Sequence, residues 1–170
     1  CNLTKARWRE GDALIDLRTV DLGERPRWLL EPFIEYGGPT VLFADGGTGK
    51  SIFSLAIGVS CASGQPIVTP KPPAVQVAVL YLDWETDKAT HAERLRALCA
   101  GASINITTML PIYYRRQTAS LYESASDLAR MIAEREIGLV IVDSLGAARG
   151  GDPNKADVTL LAFAGARLLN

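Results

Sequence analysis

Short apolar runs alternate with amphipathic stretches along the chain. The apolar runs, bounded by turn residues, predict buried strands at residues 40–44, 75–82, 112–114 and 139–142. Stretches with apolar side chains at helical spacing predict helices at residues 50–63, at 87–99, from residue 120 onward and at 158–169. Because strands that alternate with helices form parallel sheets with helices on both faces, the pattern predicts an α/β fold, a three-layer αβα sandwich.

Length and charge limit the organisation of the chain and its partners. Of the 170 residues, 48% are apolar and 22% are charged, which is typical of one globular domain. Residues 1–27 show no clear period, so we interpret them as a leader or linker and residues 28–170 as the domain. The formal net charge of −1 excludes a protein that coats nucleic acid by bulk charge, but it leaves a local basic patch open.

Cysteine content and hydropathy bear on the compartment. The three cysteines, Cys1, Cys61 and Cys99, show no metal-ligand pairing, which argues against a disulfide scaffold or a zinc site. We expect Cys61 and Cys99 to be buried as small hydrophobic residues. No stretch approaches the ~18 consecutive apolar residues of a membrane helix. We therefore expect a cytoplasmic protein with no membrane partner.

A glycine-rich loop lies between the first predicted strand and the first predicted helix. Residues 44–51, ADGGTGKS, fit the phosphate-loop pattern G-x-x-x-x-G-K-[ST] except that Ala44 replaces the first glycine. Glycines allow consecutive backbone N–H groups to point toward one anion, which the N-terminus of the helix also attracts. The residues expected to bind the nucleotide are Asp45, Gly46, Gly47, Thr48, Gly49, Lys50 and Ser51. Lys50 can reach the β- and γ-phosphates, and the Ser51 hydroxyl can bind Mg²⁺.

Two acidic residues follow apolar strands at the edge where ligands of parallel sheets bind. Asp143 directly follows residues 139–142 and is placed to hold Mg²⁺ together with Ser51. Glu85 lies three residues after Leu82, and we expect it to orient and deprotonate the attacking water, with Lys50 assisting catalysis. The alternative interpretations are a turn or capping acid for Asp143 and a surface acid near a helix start for Glu85.

These motifs resemble those of a known family. The segments PTVLFADGGTGKS, VAVLYLDWETD and IGLVIVDSLGAARGGDPN, in this order, resemble the RecA-like P-loop ATPases, most closely the RepA-like branch of the plasmid hexameric helicase type. The resemblance covers residues 28–170. It implies that Glu85 is the catalytic glutamate, that residues 44–51 and Asp143 form the Walker A and Walker B motifs, and that ATP and Mg²⁺ bind there.

The resemblance also implies a biological setting. It implies an ATP-driven motor of helicase type in DNA replication or another DNA transaction, with single-stranded DNA as a partner. The resemblance further implies a homo-oligomer, by analogy with the family a hexameric ring. Because the RecA-like core continues with sensor and arginine-finger residues past the position of Asn170, we expect a C-terminally truncated domain.

Two other functions remain open at this stage. Residues 143–146 match D-x-x-G and residues 154–157 match N-K-x-D, both short GTPase motifs. The second motif follows Asp143 too closely, without an apolar strand between them, so ATP is favoured over GTP. The other alternative is a nucleotide-switched oligomeric scaffold or loader with little turnover. Among the remaining residues, we expect His91 on the helix surface and Tyr81 and Trp84 in core packing.

Overall fold

The computed structural model describes residues 15–21, 26–107 and 110–148. Its strands are β1 (Trp28–Leu30), β2 (Ile34–Glu35), β3 (Ala78–Asp83), β4 (Ile112–Arg116) and β5 (Ile137–Asp143). Its α-helices are α1 (Lys50–Ser63), α2 (Lys88–Gly101), α3 (Leu121–Glu134) and the single turn α4 (Leu145–Ala148). A 3₁₀ turn covers Leu17–Thr19.

Three parallel strands form the main sheet in the order β4-β3-β5. The central strand β3 is almost wholly apolar and buried, as expected of a parallel strand covered on both faces. Its last residue, Asp83, pairs in register with Arg116 on one side and with Asp143 on the other. A separate antiparallel pair is formed by β1 and β2. The carboxyl ends of all three parallel strands therefore meet at one edge.

Helices cover both faces of this sheet. Val79 and Tyr81 point to one face, where they pack with buried residues of α1 and partly buried leucines of α2. Leu80 and Leu82 point to the other face, where they pack against Leu121 and Leu128 of α3. Alternate residues of β3 thus supply two cores, because successive side chains of a strand point to opposite faces. The predicted α/β fold with a parallel sheet between helices is confirmed.

The ends of the helices lie at residues whose local chemistry favours a helix start or stop. Gly64 ends α1 in the left-handed conformation, with φ of 72°. The Asp87 side chain caps α2 by accepting hydrogen bonds from two backbone amides. Ser120 and Glu123 form a reciprocal capping box at the start of α3. These local signals fix where the chain leaves each helix and turns toward the next strand.

The prediction of a buried strand at residues 40–44 is wrong. These residues form no strand, and the side chain of Phe43 is 85% exposed. An apolar run is buried as a parallel strand only when it pairs with a neighbour and is covered on both faces. None of the described strands pairs with residues 40–44, so the run approaches the glycine loop as an exposed, irregular segment.

Other predictions differ in detail or fall beyond the described residues. Residues 145–148 form a helical turn where the sequence predicts the start of a glycine-rich loop. Strand β3 begins three residues later than the apolar run from residue 75 suggests. The predicted helix at residues 158–169 lies outside the described residues, and the boundary at residue 27 stays a prediction.

The burial of Cys61 and Cys99 agrees with the hydropathy pattern. Cys61 and Cys99 are both buried and free, as predicted. None of the described helices is long and apolar enough to cross a membrane.

Replacing Ser120 with alanine should destabilise the domain without affecting its site. The change removes the hydroxyl that accepts a hydrogen bond from the Glu123 amide, so the first turn of α3 loses a cap. We expect the free energy of unfolding to fall by about 1 kcal/mol in urea titrations. As a control, Ser126→Ala on the exposed side of α3 should change it by less than about 0.5 kcal/mol. Equal stabilities of the two variants would contradict the capping role.

Candidate functional site

The glycine loop at residues 44–51 has the backbone geometry of an anion cradle. Gly47 and Gly49 adopt φ of 77° and 90°, in the left-handed region that side chains disfavour. A Cβ at Gly46, Gly47 or Gly49 would meet no atom within 4 Å, so the space beside the loop is open. Gly49 is also the N-cap of α1 and provides no side-chain cap, which leaves the first amides of this helix free for a ligand.

Lys50 bends back over the loop. Its ammonium group donates hydrogen bonds to the carbonyl oxygens of Ala44, at 2.7 Å, and Asp45, at 2.6 Å. The Thr48 hydroxyl donates a further bond to the Asp45 carbonyl, at 2.8 Å. The loop therefore holds a positive charge of its own beside the backbone amides. A phosphate bound there would offer Lys50 a charged acceptor in place of neutral carbonyls.

Glu85 and Asp143 lie at the same edge of the sheet. Asp143 ends β5, and its carbonyl accepts a hydrogen bond of 2.9 Å from the amide of Trp84, in the turn after β3. The Ser144 hydroxyl donates a hydrogen bond to the carboxylate of Glu85, which is exposed to solvent. The two acids are therefore joined through one serine, although they are far apart in sequence.

A buried tyrosine connects Asp143 to the helix that follows the loop. The Tyr81 hydroxyl donates a 2.6 Å hydrogen bond to Oδ2 of Asp143. The same hydroxyl lies 3.2 Å from Oγ of Ser54 and 3.4 Å from the carbonyl oxygen of Ser51. Burial, together with the neighbouring Asp143, raises the pKa of Tyr81 well above its usual value, so its hydroxyl stays protonated. Contacts thus run from the start of α1 through Asp143 to Glu85.

A buried carboxylate supports the turn that carries Glu85. Asp83 is 0% exposed, and its carboxylate accepts hydrogen bonds from the amides of Glu85 and Thr86 and from the Tyr114 hydroxyl, at 2.9 to 3.1 Å. Burial alone would raise the pKa of Asp83, but these donors and the nearby His91 outweigh it and lower the pKa. Asp83 was not among the predicted site residues, although it ends an apolar run as Asp143 does.

The predicted surface position of His91 is wrong. Its side chain is 5% exposed and lies between the rings of Tyr81 and Tyr114, with centroids 4.6 and 5.5 Å away. Its Nε2 is 3.5 Å from Oδ2 of Asp83. The first turn of α2 rests on β3, so its inward position is occupied by His91 despite the charged residues around it.

Arginines and Trp84 surround this edge. Arg115 forms a 2.6 Å ion pair with Asp127 of α3, whereas Arg116 lies 3.7 Å from Asp83. Trp84 is half-buried, as its predicted role in core packing requires, and its indole N–H donates to the carbonyl of Ala119 at 2.9 Å.

The donor set at this edge suits Mg²⁺ bound together with phosphate oxygens. Within the described residues, no three Asp, Glu, His or Cys side chains cluster as a self-sufficient metal site. Ser51 and Asp143 instead offer one hydroxyl and one carboxylate, both oxygen donors. Mg²⁺ commonly takes one or two such protein ligands and completes its shell with phosphates and water. The residues present therefore fit magnesium as a companion of a bound nucleotide.

Replacing Asp83 with asparagine should alter the acid sensitivity of the domain. Because the folded state lowers the pKa of Asp83, its ionised form stabilises the fold above about pH 4, and this stability is lost as the pH falls through the lowered value. Asp83→Asn should lower the free energy of unfolding at pH 7 by about 1–3 kcal/mol, because the amide cannot accept all of these bonds. The difference from the original chain should shrink toward pH 3.5.

Urea titrations across this pH range would measure the effect. The control is Asp45→Asn, an exposed loop position at which we expect a change within about 0.5 kcal/mol. A difference between Asp83→Asn and the original chain that stays constant with pH would contradict the assignment.

The comparison with known families agrees with this geometry. No curated protein gives a match to the chain. A family model described as an AAA domain matches residues 10–169, which is nearly the whole sequence. The chain therefore belongs to the AAA domain family and is a nucleotide-binding ATPase domain.

Proposed function

We propose that this domain binds ATP with Mg²⁺ and hydrolyses it as a RecA-like motor domain of the RepA-like helicase branch. One observation carries the proposal: the start of α1, Asp143 and Glu85 meet at one edge of the sheet. The Tyr81 hydroxyl donates to Asp143 and lies 3.4 Å from the Ser51 carbonyl oxygen. Ser144, the residue after Asp143, donates to Glu85. A loop that fits phosphate, an acid that fits magnesium and an acid that can activate water are the parts that phosphoryl transfer to water requires.

Each residue has a distinct task in this proposal. The loop from Asp45 to Gly49 binds the phosphates through backbone N–H groups, and Lys50 places its positive charge on the β- and γ-phosphates. Ser51 and Asp143 hold Mg²⁺, which, when bound, neutralises charge on the phosphate oxygens. Glu85 accepts a proton from the attacking water and orients it. The Ser144 hydroxyl restricts the direction of the Glu85 carboxylate.

The cellular task rests on the resemblance of the three motif segments. We propose that ATP hydrolysis serves DNA replication or another DNA transaction in the cytoplasm, with single-stranded DNA as the polymer bound. We also propose that copies of the chain assemble into a ring, by analogy with related motors.

ATPase assays with and without single-stranded DNA or RNA would test this setting. Turnover that is the same with and without polymer would contradict the helicase assignment, and very slow turnover in both would favour a nucleotide-switched scaffold.

Lys50→Ala should abolish tight nucleotide binding. The change removes the only ammonium group of the loop, so we expect the Kd for ATP to rise by about 30-fold or more, which corresponds to roughly 2 kcal/mol. Isothermal titration calorimetry with ATP and Mg²⁺ would measure this. Lys71→Ala is the matched control, because Lys71 is exposed, pairs with Glu31 and is not part of residues 44–51. Equally tight binding by Lys50→Ala would overturn the phosphate-loop assignment, and tighter binding of GTP than of ATP would instead favour a GTPase.

Glu85→Gln should separate binding from hydrolysis. Glutamine keeps the size of the side chain and an oxygen that can accept the Ser144 hydrogen bond, but it cannot take a proton from water. We expect the Kd for ATP to be preserved and the rate of phosphate release to fall by about 10²–10⁴-fold. The control, Glu93→Gln on the exposed side of α2, should retain full turnover. Undiminished turnover by Glu85→Gln would exclude this residue as the base.

A further inference from the structure

Tyr81 occupies an unusual place for a core residue. Its ring is 1% exposed and packs against α1, yet its hydroxyl reaches the edge where the acids lie. There it donates to Asp143 and lies within 3.4 Å of both the Ser54 hydroxyl and the Ser51 carbonyl. The roles proposed above for ATP binding and hydrolysis do not involve this tyrosine.

The groups around the Tyr81 hydroxyl belong to the two elements that supply the proposed magnesium ligands. Ser51 lies in the first turn of α1, and Asp143 is the last residue of β5. No strand pairing joins these elements, since β5 pairs with β3 and α1 packs across the sheet. A single buried hydroxyl therefore contacts both parts of the proposed metal site.

The donor and the acceptor of the hydrogen bond between Tyr81 and Asp143 are fixed. An ionised carboxylate has no hydrogen to donate, so the Tyr81 hydroxyl donates this 2.6 Å hydrogen bond and Oδ2 of Asp143 accepts it. Within the described part of the chain, no other side chain donates a hydrogen bond to this carboxylate. The bond engages Oδ2 and restricts rotation of the carboxylate, while Oδ1 remains as the second acceptor.

We propose that Tyr81 is a positioning residue for magnesium, holding the Asp143 carboxylate in register with Ser51 at the start of α1. The inference rests on the proposed binding of Mg²⁺ with ATP and adds a residue that acts through Asp143. Partners that hold metal ligands in place commonly change metal affinity by about 10–100-fold when they are removed. The purely structural alternative is that the hydroxyl serves only to satisfy a buried polar group.

Tyr81→Phe separates these two roles, because it removes one hydroxyl and keeps the ring. The measurement is the affinity of the full chain for a fluorescent, ribose-labelled ATP analogue, first in EDTA and then in a series of Mg²⁺ concentrations. In EDTA the analogue reports the glycine loop and Lys50 alone. The further tightening on addition of magnesium reports the metal site and needs no hydrolysis.

We expect Tyr81→Phe to bind the analogue in EDTA as the original chain does. The Mg²⁺ concentration for half-maximal tightening should rise by about 10–100-fold. Tyr122→Phe is the matched control, since Tyr122 is 51% exposed on α3, across the sheet from α1, and its magnesium titration should be unchanged. Thermal melts of both variants check that each is folded.

Three other outcomes would contradict the role of Tyr81, and one of them would also contradict the proposed function. A magnesium titration of Tyr81→Phe that matches the original chain overturns the positioning role and leaves the proposed function standing. An equal loss of affinity in EDTA and in magnesium also overturns it, because a purely structural role would weaken the whole site. If the original chain binds no analogue under either condition, the proposed function itself fails, and the role of Tyr81 fails with it.

Discussion

The position of β3 between β4 and β5 is the constraint on which the arrangement of this domain depends. Parallel pairing in this order places Asp83 beside Asp143, so groups separated by about sixty residues meet at one edge. The same pairing requires cover on both faces of the sheet, which α1 and α2 provide on one side and α3 on the other. The stability of the sheet and the geometry of the candidate site thus have a common origin.

Behind Glu85 and Asp143 lies a layer of buried polar groups. Asp83 holds the turn of Glu85 through backbone amides, whereas Tyr81 holds Asp143 through its hydroxyl. Buried polar groups are costly unless they are satisfied, and a satisfied network restricts the conformations available to its members. The side chain of Glu85 is therefore exposed to water while its backbone amide is bonded to a buried carboxylate, which supports the role proposed for it as a base.

Periodicity and capping signals were enough to predict most of the fold. The helix starts at Asp87 and Ser120 and the stop at Gly64 follow from local chemistry, and the shared edge of Glu85 and Asp143 follows from the parallel-strand rule. The exposed segment at residues 40–44 could not be predicted, since burial of an apolar run depends on a pairing partner that composition does not reveal. The burial of His91 could not be predicted either, since its neighbours Tyr81 and Tyr114 come from two strands that only the folded chain brings close. Asp83 was missed although two of its partners are the nearby amides of Glu85 and Thr86.

The location of Trp84 gives this site a natural optical signal. The tryptophan lies between Asp83 and Glu85, with its amide bonded to the carbonyl of Asp143 and its indole N–H bonded to Ala119. An indole emits at a wavelength that depends on the polarity around its ring, and this ring is only partly covered. A rearrangement of this turn on ligand binding would therefore change the fluorescence of Trp84, one of the three tryptophans of the chain, without a chemical label.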